Sequence, residues 1–246
     1  MGIKSILAGC LLGVAMFAAP TAFGDSAETM PNPAPVLVEL FTSQSCSSCP
    51  PAEALFADLA ERDDLVVIEW HVDYWDELVH GRAGKWKDPY SDADYTRRQR
   101  DYNLALRGMG SVYTPQAVIN GQSETTGSRR GAIAQLIEAQ PPAPAVITME
   151  DGNVTIAETT LPADISADVL LVSLLAEQTT DVRGGENQGR TLMSRNVAVS
   201  AKVLGQWSGP AVSFDLSSMG PEQHCALIVQ DTENLQVLGA RYCSTG

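Results

Sequence analysis

The feature that most constrains this chain is a pair of cysteines placed between an apolar strand and a helix. Val36–Phe41 is a nearly continuous apolar run, which is typical of a strand buried in a parallel sheet. Cys46-Ser47-Ser48-Cys49 follows it, and Pro50-Pro51 then opens a helix, because proline is accepted in the first turn. A second apolar run, Leu65–Val72, predicts the next strand. This order predicts half of a right-handed, parallel βαβ unit.

A dithiol in this position has a chemical purpose. Cys46 would lie at the N-terminus of the helix, where free backbone N–H groups and the helix dipole stabilise a thiolate. Cys49 would lie close enough to resolve a mixed disulfide formed at Cys46. An inert disulfide and half of a metal site remain as alternatives. A complete zinc site is not indicated, because the sequence has no second C-x-x-C and its three histidines (His71, His80 and His224) are scattered.

The N-terminus has the pattern of a secretory signal peptide over residues 1–24. Lys4 precedes an apolar run, Ile6–Ala19, and small residues then lead to a cleavage site after Gly24. The run is shorter than the roughly 20 residues that cross a bilayer. Lipidation at Cys10 is the alternative, but most of the apolar run follows that cysteine. We therefore expect a periplasmic or secreted protein with no membrane span after cleavage.

Charge and cysteine count narrow the choice of partners. The formal charge of −14 disfavours nucleic acid as a partner.

Four cysteines remain after the leader, in a compartment where disulfides persist. Their spacing favours the pairs Cys46–Cys49 and Cys225–Cys243, and the second pair flanks a predicted hairpin tip near Asn234. We interpret Cys225–Cys243 as a structural disulfide.

The rest of the chain divides into two predicted parts after a proline-rich linker at residues 25–35. Residues 36–140 should form an α/β domain, with helices over 88–107 and from a Ser128 cap, and a hairpin at Asn120-Gly121. A proline-rich boundary follows at 141–144. Residues 145–246 alternate in short segments that predict a mainly antiparallel β module, interrupted by a helix near 196–204.

Polar and aromatic residues leave the carboxyl end of the second predicted strand. They are His71, Asp73, Tyr74 and Trp75. In a parallel sheet this edge also carries the Cys46 loop, and ligands bind along it. We expect these four side chains to line the dithiol cleft and to contact substrate, although a packed aromatic cluster is the alternative.

Several segments resemble known proteins. The strand, loop and helix over 36–60 resemble those of thioredoxins, and Val112-Tyr113-Thr114-Pro115 is similar to their cis-proline loop. More specific motifs resemble the bacterial secreted family catalogued as domain of unknown function 1223. They are Glu39-Leu40-Phe41-Thr42-Ser43-Gln44-Ser45-Cys46-Ser47-Ser48-Cys49-Pro50-Pro51-Ala52, His71-Val72-Asp73-Tyr74-Trp75-Asp76, Tyr113-Thr114-Pro115-Gln116 and Gly185-Glu186-Asn187-Gln188-Gly189-Arg190-Thr191-Leu192.

The resemblance implies an α/β thioredoxin-like domain followed by the mainly antiparallel β module. It implies that Cys46 is the exposed nucleophile and Cys49 the resolving thiol. Pro115 would be the cis-proline that packs against the disulfide, with Thr114 beside it as a substrate contact. Glu39 would be the buried acid that handles the proton of the resolving cysteine; a strand-end carboxylate that only accepts backbone hydrogen bonds is the alternative.

The predicted function is thiol–disulfide exchange with protein or small-molecule thiols, without a cofactor or metal, together with a redox partner protein. A binding module with a locked disulfide and a copper carrier that uses the dithiol as soft ligands are the alternatives. The polar loop over 186–190 would dock the two parts of the chain or bind a ligand.

Overall fold

The fold is described from a computed structural model, which covers residues 1–2, 34–79, 86–162, 165–217 and 224–243. The predicted signal peptide, Cys10 and the linker before residue 34 lie outside the described residues. His80 lies outside them as well. Residues Pro33–Gly246 form one compact unit.

Four helices and eleven strands make up the described part of the chain. In chain order they are β1 (Val36–Thr42), α1 (Pro50–Leu59), β2 (Leu65–His71), α2 (Tyr74–Val79), α3 (Ala93–Arg107), β3 (Gln116–Ile119), β4 (Ser123–Thr126), α4 (Arg130–Glu138), β5 (Ile147–Glu150), β6 (Asn153–Ile156), β7 (Ala167–Asp181), β8 (Thr191–Trp207), β9 (Val212–Asp215), β10 (Cys225–Asp231) and β11 (Val237–Tyr242).

The architecture is mixed α/β and is dominated by one large, mostly antiparallel sheet. Its eight strands run in the order β11-β10-β7-β8-β2-β1-β3-β4, and a smaller sheet has the order β5-β6-β9. Within the large sheet, β1 pairs in parallel with β2, and β2 pairs in parallel with β8. The predicted boundary at residues 141–144 therefore separates strands that join one sheet, and independent folding of the two parts stays a prediction.

Side-chain alternation along β1 and β2 places two apolar clusters on opposite faces of the sheet. Val38, Leu40 and Val67 pack with α1 and α4 on one face. Phe41 and Trp70 pack with α3 and the C-terminal strands on the other. Because neighbouring residues of a strand point to opposite faces, this parity also decides which polar side chains can reach the dithiol.

Two local predictions were wrong, one because of long-range strand pairing and one at the start of a helix. The segment predicted as a helix near 196–204 lies in β8, because it pairs with β7 over almost its whole length. The helix predicted over 88–107 begins only at Ala93. Asp92 caps it by accepting the backbone N–H of Asp94 at 2.8 Å. The hairpin at Asn120-Gly121 is confirmed, as β3 pairs with β4 around it.

The last helix also begins later than the sequence indicates. It starts at Arg130, and its N-cap is Arg129, whose side chain makes no capping hydrogen bond, so the predicted Ser128 cap is wrong. None of the helices in the described ranges is long and apolar enough to cross a membrane.

Candidate active site

The dithiol lies where β1 passes into α1. Cys46 and Cys49 are joined by a disulfide, with Cα atoms 5.5 Å apart. Cys49 is the N-cap of α1, and its carbonyl oxygen accepts the backbone N–H of Ala52 at 2.8 Å. The Ser48 hydroxyl lies 3.2 Å from the Cys46 sulfur. The sulfurs thus lie at the positive end of the helix dipole, which favours a thiolate.

Both cysteines are shielded from solvent. Cys46 and Cys49 are each 0% exposed, whereas Ser47 and Ser48 between them are exposed. The implied exposed nucleophile is therefore corrected, because in this structure Cys46 is buried. A distant part of the chain is hydrogen-bonded to the main chain on both sides of Cys46.

This distant part is the loop Val182–Arg190 between β7 and β8, which we call the covering loop. The backbone N–H of Glu186 donates to the Ser45 carbonyl oxygen at 3.0 Å. The Asn187 side-chain amide donates to the carbonyl oxygens of Gln44 at 3.0 Å and of Cys46 at 2.8 Å. The loop is thereby held to the main chain just before and at the first cysteine.

A carboxylate adds a second attachment. Glu186 Oε2 accepts the Ser47 backbone N–H at 2.9 Å and the Ser47 hydroxyl at 2.7 Å. These bonds lower the pKa of Glu186, because they favour its ionised form. At Gly185 φ is +76°, and a Cβ there would lie 2.7 Å from Cβ of Ser45, so only glycine fits. The sequence predicted a docking role for this loop, although not that it covers the dithiol.

Under the dithiol, on the α1 face of the sheet, lies a group of buried ionisable side chains. The Thr42 hydroxyl donates to Glu53 Oε1 at 2.7 Å. Asp88 Oδ2 accepts from Nδ1 of His71 and from the Gln44 backbone N–H, both at 2.8 Å. Nε2 of His71 lies 4.0 Å from Oε2 of Glu69. We call Glu53, Glu69, His71 and Asp88 the buried acid–histidine cluster.

The environment sets the protonation states in this cluster. Burial raises the pKa of Glu53 and raises the pKa of Glu69 well above its usual range. Burial alone would lower the pKa of His71, but the charge and hydrogen bond of Asp88 outweigh it and raise this pKa. Burial opposes the Asp88 charge, yet His71 holds the pKa of Asp88 below its usual value. Burial thus favours the protonated forms of Glu53 and Glu69, whereas the mutual attraction of His71 and Asp88 favours the ionised forms of these two residues.

Several buried polar atoms around the cluster have no hydrogen-bond partner among the described residues. They are Gln44 Oε1 and Nε2, Ser45 Oγ, Glu69 Oε1 and His71 Nε2. A buried polar atom left unpaired costs free energy, so native proteins keep few of them without a use. Their concentration beside the dithiol makes this the strongest candidate for proton-transfer chemistry in the described chain.

Sequence reasoning identified His71 but missed its partners. Glu53 follows Cys49 by four residues, a spacing that places two side chains on the same helix face, and this signal could have found it. Asp88 and Glu69 gave no local signal, because Asp88 reaches His71 from a loop and Glu69 is buried only once β8 has paired with β2.

Glu39, predicted to handle the proton of Cys49, lies on the other face of the sheet. Its Oε1 accepts from Trp70 Nε1 at 2.9 Å and from Arg98 Nε at 2.8 Å. Its Oε2 accepts from the Tyr102 hydroxyl at 2.6 Å. The carboxylate is thus occupied by three donors next to α3, and the structure does not bring it to the dithiol.

The proline loop approaches the first turn of α1. The Thr114–Pro115 peptide bond is cis. A Cβ on Gly127 would lie 3.1 Å from Cβ of Pro115 and 3.2 Å from Cβ of Ala52, so Pro115 and α1 flank the same glycine. Trp75 Nε1 donates to the Thr114 hydroxyl at 2.7 Å, which joins two of the predicted substrate-binding residues.

Of the remaining predicted substrate contacts, Asp73 has a structural partner, whereas the Tyr74 hydroxyl has no hydrogen-bond partner among the described residues. The Thr96 hydroxyl donates to Asp73 Oδ1 at 2.5 Å, which fixes Asp73 to α3. Tyr74 is half-buried, and burial raises the pKa of its hydroxyl to about 12. His71 is buried. Contact of His71, Asp73, Tyr74, Trp75 and Thr114 with a substrate stays a prediction.

The second cysteine pair joins the strands at the β11 end of the large sheet's strand order. Cys225 and Cys243 are bonded, with Cα atoms 5.3 Å apart, across the paired strands β10 and β11. Cys225 and the half-buried Cys243 pack in the apolar cluster beneath the smaller sheet. Among the described residues, no group of three or more histidine, cysteine or acidic side chains is arranged to hold a metal ion.

Comparison with known proteins gives a family and a fold. The family described as "Protein of unknown function (DUF1223)" matches residues 37–230. A crystal structure of a protein from Agrobacterium tumefaciens is similar at a TM-score of 0.71 and 26% identity, over 88% of this chain and 98% of that chain. HBP35 of Porphyromonas gingivalis shares the fold at a TM-score of 0.55 and 12% identity, over 85% of this chain and 74% of that chain. No curated protein matches the sequence.

Proposed function

The chain belongs to the family described as protein of unknown function (DUF1223), and we propose that it is a thiol–disulfide oxidoreductase whose reacting couple is Cys46–Cys49. In this proposal the β1–α1–β2 unit is a thioredoxin-like scaffold. The protein acts in the periplasm or after secretion, which the leader pattern over residues 1–24 favours.

One observation carries the proposal: a disulfide at the N-terminus of α1 lies beside buried groups that hold protons. The helix terminus supports a thiolate at Cys46. The buried acid–histidine cluster combines raised pKa values at Glu53, Glu69 and His71 with unpaired polar atoms. An inert structural disulfide has no use for such a cluster, whose burial costs stability.

The reaction is an exchange of two electrons in two steps. A thiolate of the client, meaning the protein or small molecule that is oxidised, attacks the Cys46 sulfur. The Cys46–Cys49 bond breaks, its electron pair leaves with the Cys49 sulfur, and a mixed disulfide forms at Cys46. The second thiolate of the client then attacks the client sulfur that is bonded to Cys46. The bond to Cys46 breaks, and Cys46 leaves as a thiolate. The client gains a disulfide, and the protein becomes a dithiol.

Proton transfer completes the first step. The Cys49 thiolate is buried, so it needs a proton or a nearby cation to be stable. Glu53 is on the same face of α1 and favours its protonated form, which makes it the donor to the Cys49 sulfur. His71, held by Asp88, supplies positive charge to the same region. A redox partner protein restores the disulfide by the reverse steps, and no cofactor is needed.

The proposed client surface combines the proline loop with the end of β2. Pro115 flanks α1, while Trp75 and Thr114 hold one another by a hydrogen bond. An apolar wall next to a fixed loop suits an extended peptide that carries a cysteine. We therefore propose that Trp75, Tyr74 and Thr114 contact the client.

The test runs the same exchange in reverse: the reduced protein is assayed for turnover of insulin disulfides, and its Cys46 thiol is titrated. We expect catalysed reduction and a Cys46 pKa below the unperturbed value of about 8.5. Absence of any exchange with dithiols or disulfides, together with an unperturbed Cys46 pKa, would refute the proposal. Cys46→Ser is the matched control, because it keeps Cys49 and all of the covering loop.

A second candidate is a non-catalytic binding module with a locked disulfide. The complete burial of Cys46 and Cys49 favours it. It predicts that Cys46→Ser and Cys49→Ser leave partner binding intact, whereas the oxidoreductase loses exchange in both variants.

A further inference from the structure

The covering loop acts on the dithiol through main-chain groups, although 139 residues separate Ser47 from Glu186. Its attachments end on the carbonyl oxygens of Gln44, Ser45 and Cys46 and on the N–H of Ser47. These atoms surround Cys46 on both sides. An attacking sulfur must approach along the axis of the disulfide bond, and Cys46 is 0% exposed while the loop is attached on both sides of it.

The same loop opposes the thiolate of Cys46. The Ser47 N–H is the first amide after Cys46, and a backbone amide this close to a thiolate stabilises it by donating to it. Glu186 occupies that amide and also accepts the Ser47 hydroxyl. Its negative charge then stands next to the position where the thiolate charge would form, and like charges raise a thiol pKa.

We propose that the covering loop is a latch that holds Cys46 unreactive until a client displaces Glu186 from Ser47. The proposal rests on the proposed function, because only a reacting dithiol has to be uncovered. A client strand that enters the site releases the Ser47 N–H and exposes the Cys46 sulfur in one movement. The latch therefore limits exchange to clients that bind the loop region and protects the couple from small thiols.

The composition of the loop is compatible with opening. Glu186 and Arg190 are exposed, so their hydrogen bonds compete with water and add little net stability. Gly185 and Gly189 have φ of +76° and +81°, a conformation that glycine adopts without strain. Asn187 is the buried anchor, and Arg190 donates to its Oδ1 at 2.7 Å. Loss of the two contacts of the Glu186 carboxylate would thus leave the loop held by Asn187 and by the Glu186 backbone N–H on the Ser45 carbonyl oxygen.

The experiment measures how fast excess dithiothreitol reduces the Cys46–Cys49 bond. Acid-quenched samples are alkylated, and the peptide that contains both cysteines is followed by mass spectrometry. Glu186→Gln removes the charge of the latch, and Asn187→Ala removes its anchor. Glu177→Gln is the matched control, because this exposed glutamate lies in the same hairpin and makes the same charge change away from the dithiol.

We expect Glu186→Gln to be reduced roughly two- to fivefold faster than wild type, because the contacts of an exposed carboxylate add little net stability. Asn187→Ala should be reduced at least as fast, and Glu177→Gln should match wild type. The Cys46 pKa in the reduced protein should also fall in Glu186→Gln. Equal reduction rates and equal Cys46 pKa values in wild type and Glu186→Gln would overturn the latch, even if Asn187→Ala failed to fold.

These outcomes separate the latch from the proposed function. The dithiothreitol reaction needs no client, so faster reduction of Glu186→Gln supports the latch whether or not insulin is turned over. Equal rates combined with normal insulin turnover overturn the latch alone. Absence of turnover in every variant is a failure of the oxidoreductase proposal.

Discussion

The backbone N–H of Glu53 donates to the Cys49 carbonyl oxygen at 3.1 Å, so the Glu53 carboxyl group stands one helical turn beyond the resolving cysteine. This carboxyl is buried, and it accepts a hydrogen bond from Thr42. The site therefore places a proton-holding acid on the same side of the sheet as the disulfide. Glu39 lies on the opposite side and is bound by Trp70.

Glu53→Gln should slow reduction of the disulfide, because the amide cannot supply a proton to the Cys49 thiolate. Burial raises the pKa of Glu53, so the acid form persists above the usual range of a glutamate. We expect wild type to be at least about tenfold faster than the variant at low pH. The ratio of the two rates should fall towards one as the pH rises through this raised pKa. Stopped-flow measurement of dithiothreitol reduction gives the ratio.

The raised pKa of Glu53 also makes the stability of the fold depend on pH, in a direction that can be stated. A carboxyl whose folded pKa is raised stabilises the fold fully below the unfolded pKa, and this contribution is lost as the pH rises through the folded pKa. Wild type should therefore lose stability relative to Glu53→Gln on going from acid to neutral pH. Glu77→Gln, an exposed change in α2, is the control and should show no such trend. A rate ratio that is independent of pH would contradict the role of Glu53.

Glu39→Gln should destabilise the fold without changing the redox chemistry. Arg98 is only 16% exposed in its side chain and loses its charged partner. Breaking a pair of this kind costs about 3 kcal/mol. Urea unfolding should show this loss, while the reduction potential of Cys46–Cys49 stays that of wild type. Asp94→Asn, which breaks the exposed pair of Asp94 with Arg97, should cost less than about 1 kcal/mol.

A changed reduction potential in Glu39→Gln would restore the role that the resemblance implies for Glu39. That outcome would mean that the charge of Glu39 influences the reduction potential of Cys46–Cys49 from the opposite face of the sheet.

Removing the second disulfide should affect stability alone. Cys225 and Cys243 are 18 residues apart in sequence, and a loop of this length is expected to contribute about 3 kcal/mol. The double change to serine should lower the midpoint of thermal unfolding accordingly. The rate at which dithiothreitol reduces Cys46–Cys49, measured below that midpoint, should be unaltered. A slower or faster Cys46–Cys49 reaction would mean that the two disulfides are coupled.

Cys49→Ser should trap a client on Cys46. Without the resolving thiol, the mixed disulfide at Cys46 cannot be released from within the protein. Mass spectrometry of the variant after reaction with an activated cysteine peptide should show one stable adduct on the peptide that contains Cys46. Cys46→Ser should give far less adduct. The reverse pattern would exchange the roles of the two cysteines.

Local sequence patterns predicted the parts of the fold that depend on neighbouring residues. Val36–Phe41 was predicted as a strand because its apolar side chains are contiguous, and the turn at Asn120-Gly121 because these residues adopt positive φ. The strand β8 was missed, because Val197 and Ala198 take their conformation from pairing with β7 and β2. Secondary structure of this kind depends on tertiary contact.

The site was predictable only in part for the same reason. The sequence order of strand, cysteine pair and helix places Cys46 and Cys49 before α1. Burial of Cys46 depends on a loop that is distant in sequence, and the proton-holding role of His71 depends on Asp88, which comes from another loop. The sequence singled out the motif that contains Glu186 and Asn187, but it gave no sign that this motif binds the main chain around Cys46.

The reduction potential of the Cys46–Cys49 couple tests the central claim most directly. It is measured by equilibration with glutathione or dithiothreitol buffers and quantification of the alkylated peptide, with Cys225–Cys243 as the internal reference. The account predicts a value among catalytic couples, between about −270 and −120 mV, and a lower value for Cys225–Cys243. A Cys46–Cys49 potential below about −300 mV, the range of inert structural bridges, would contradict it.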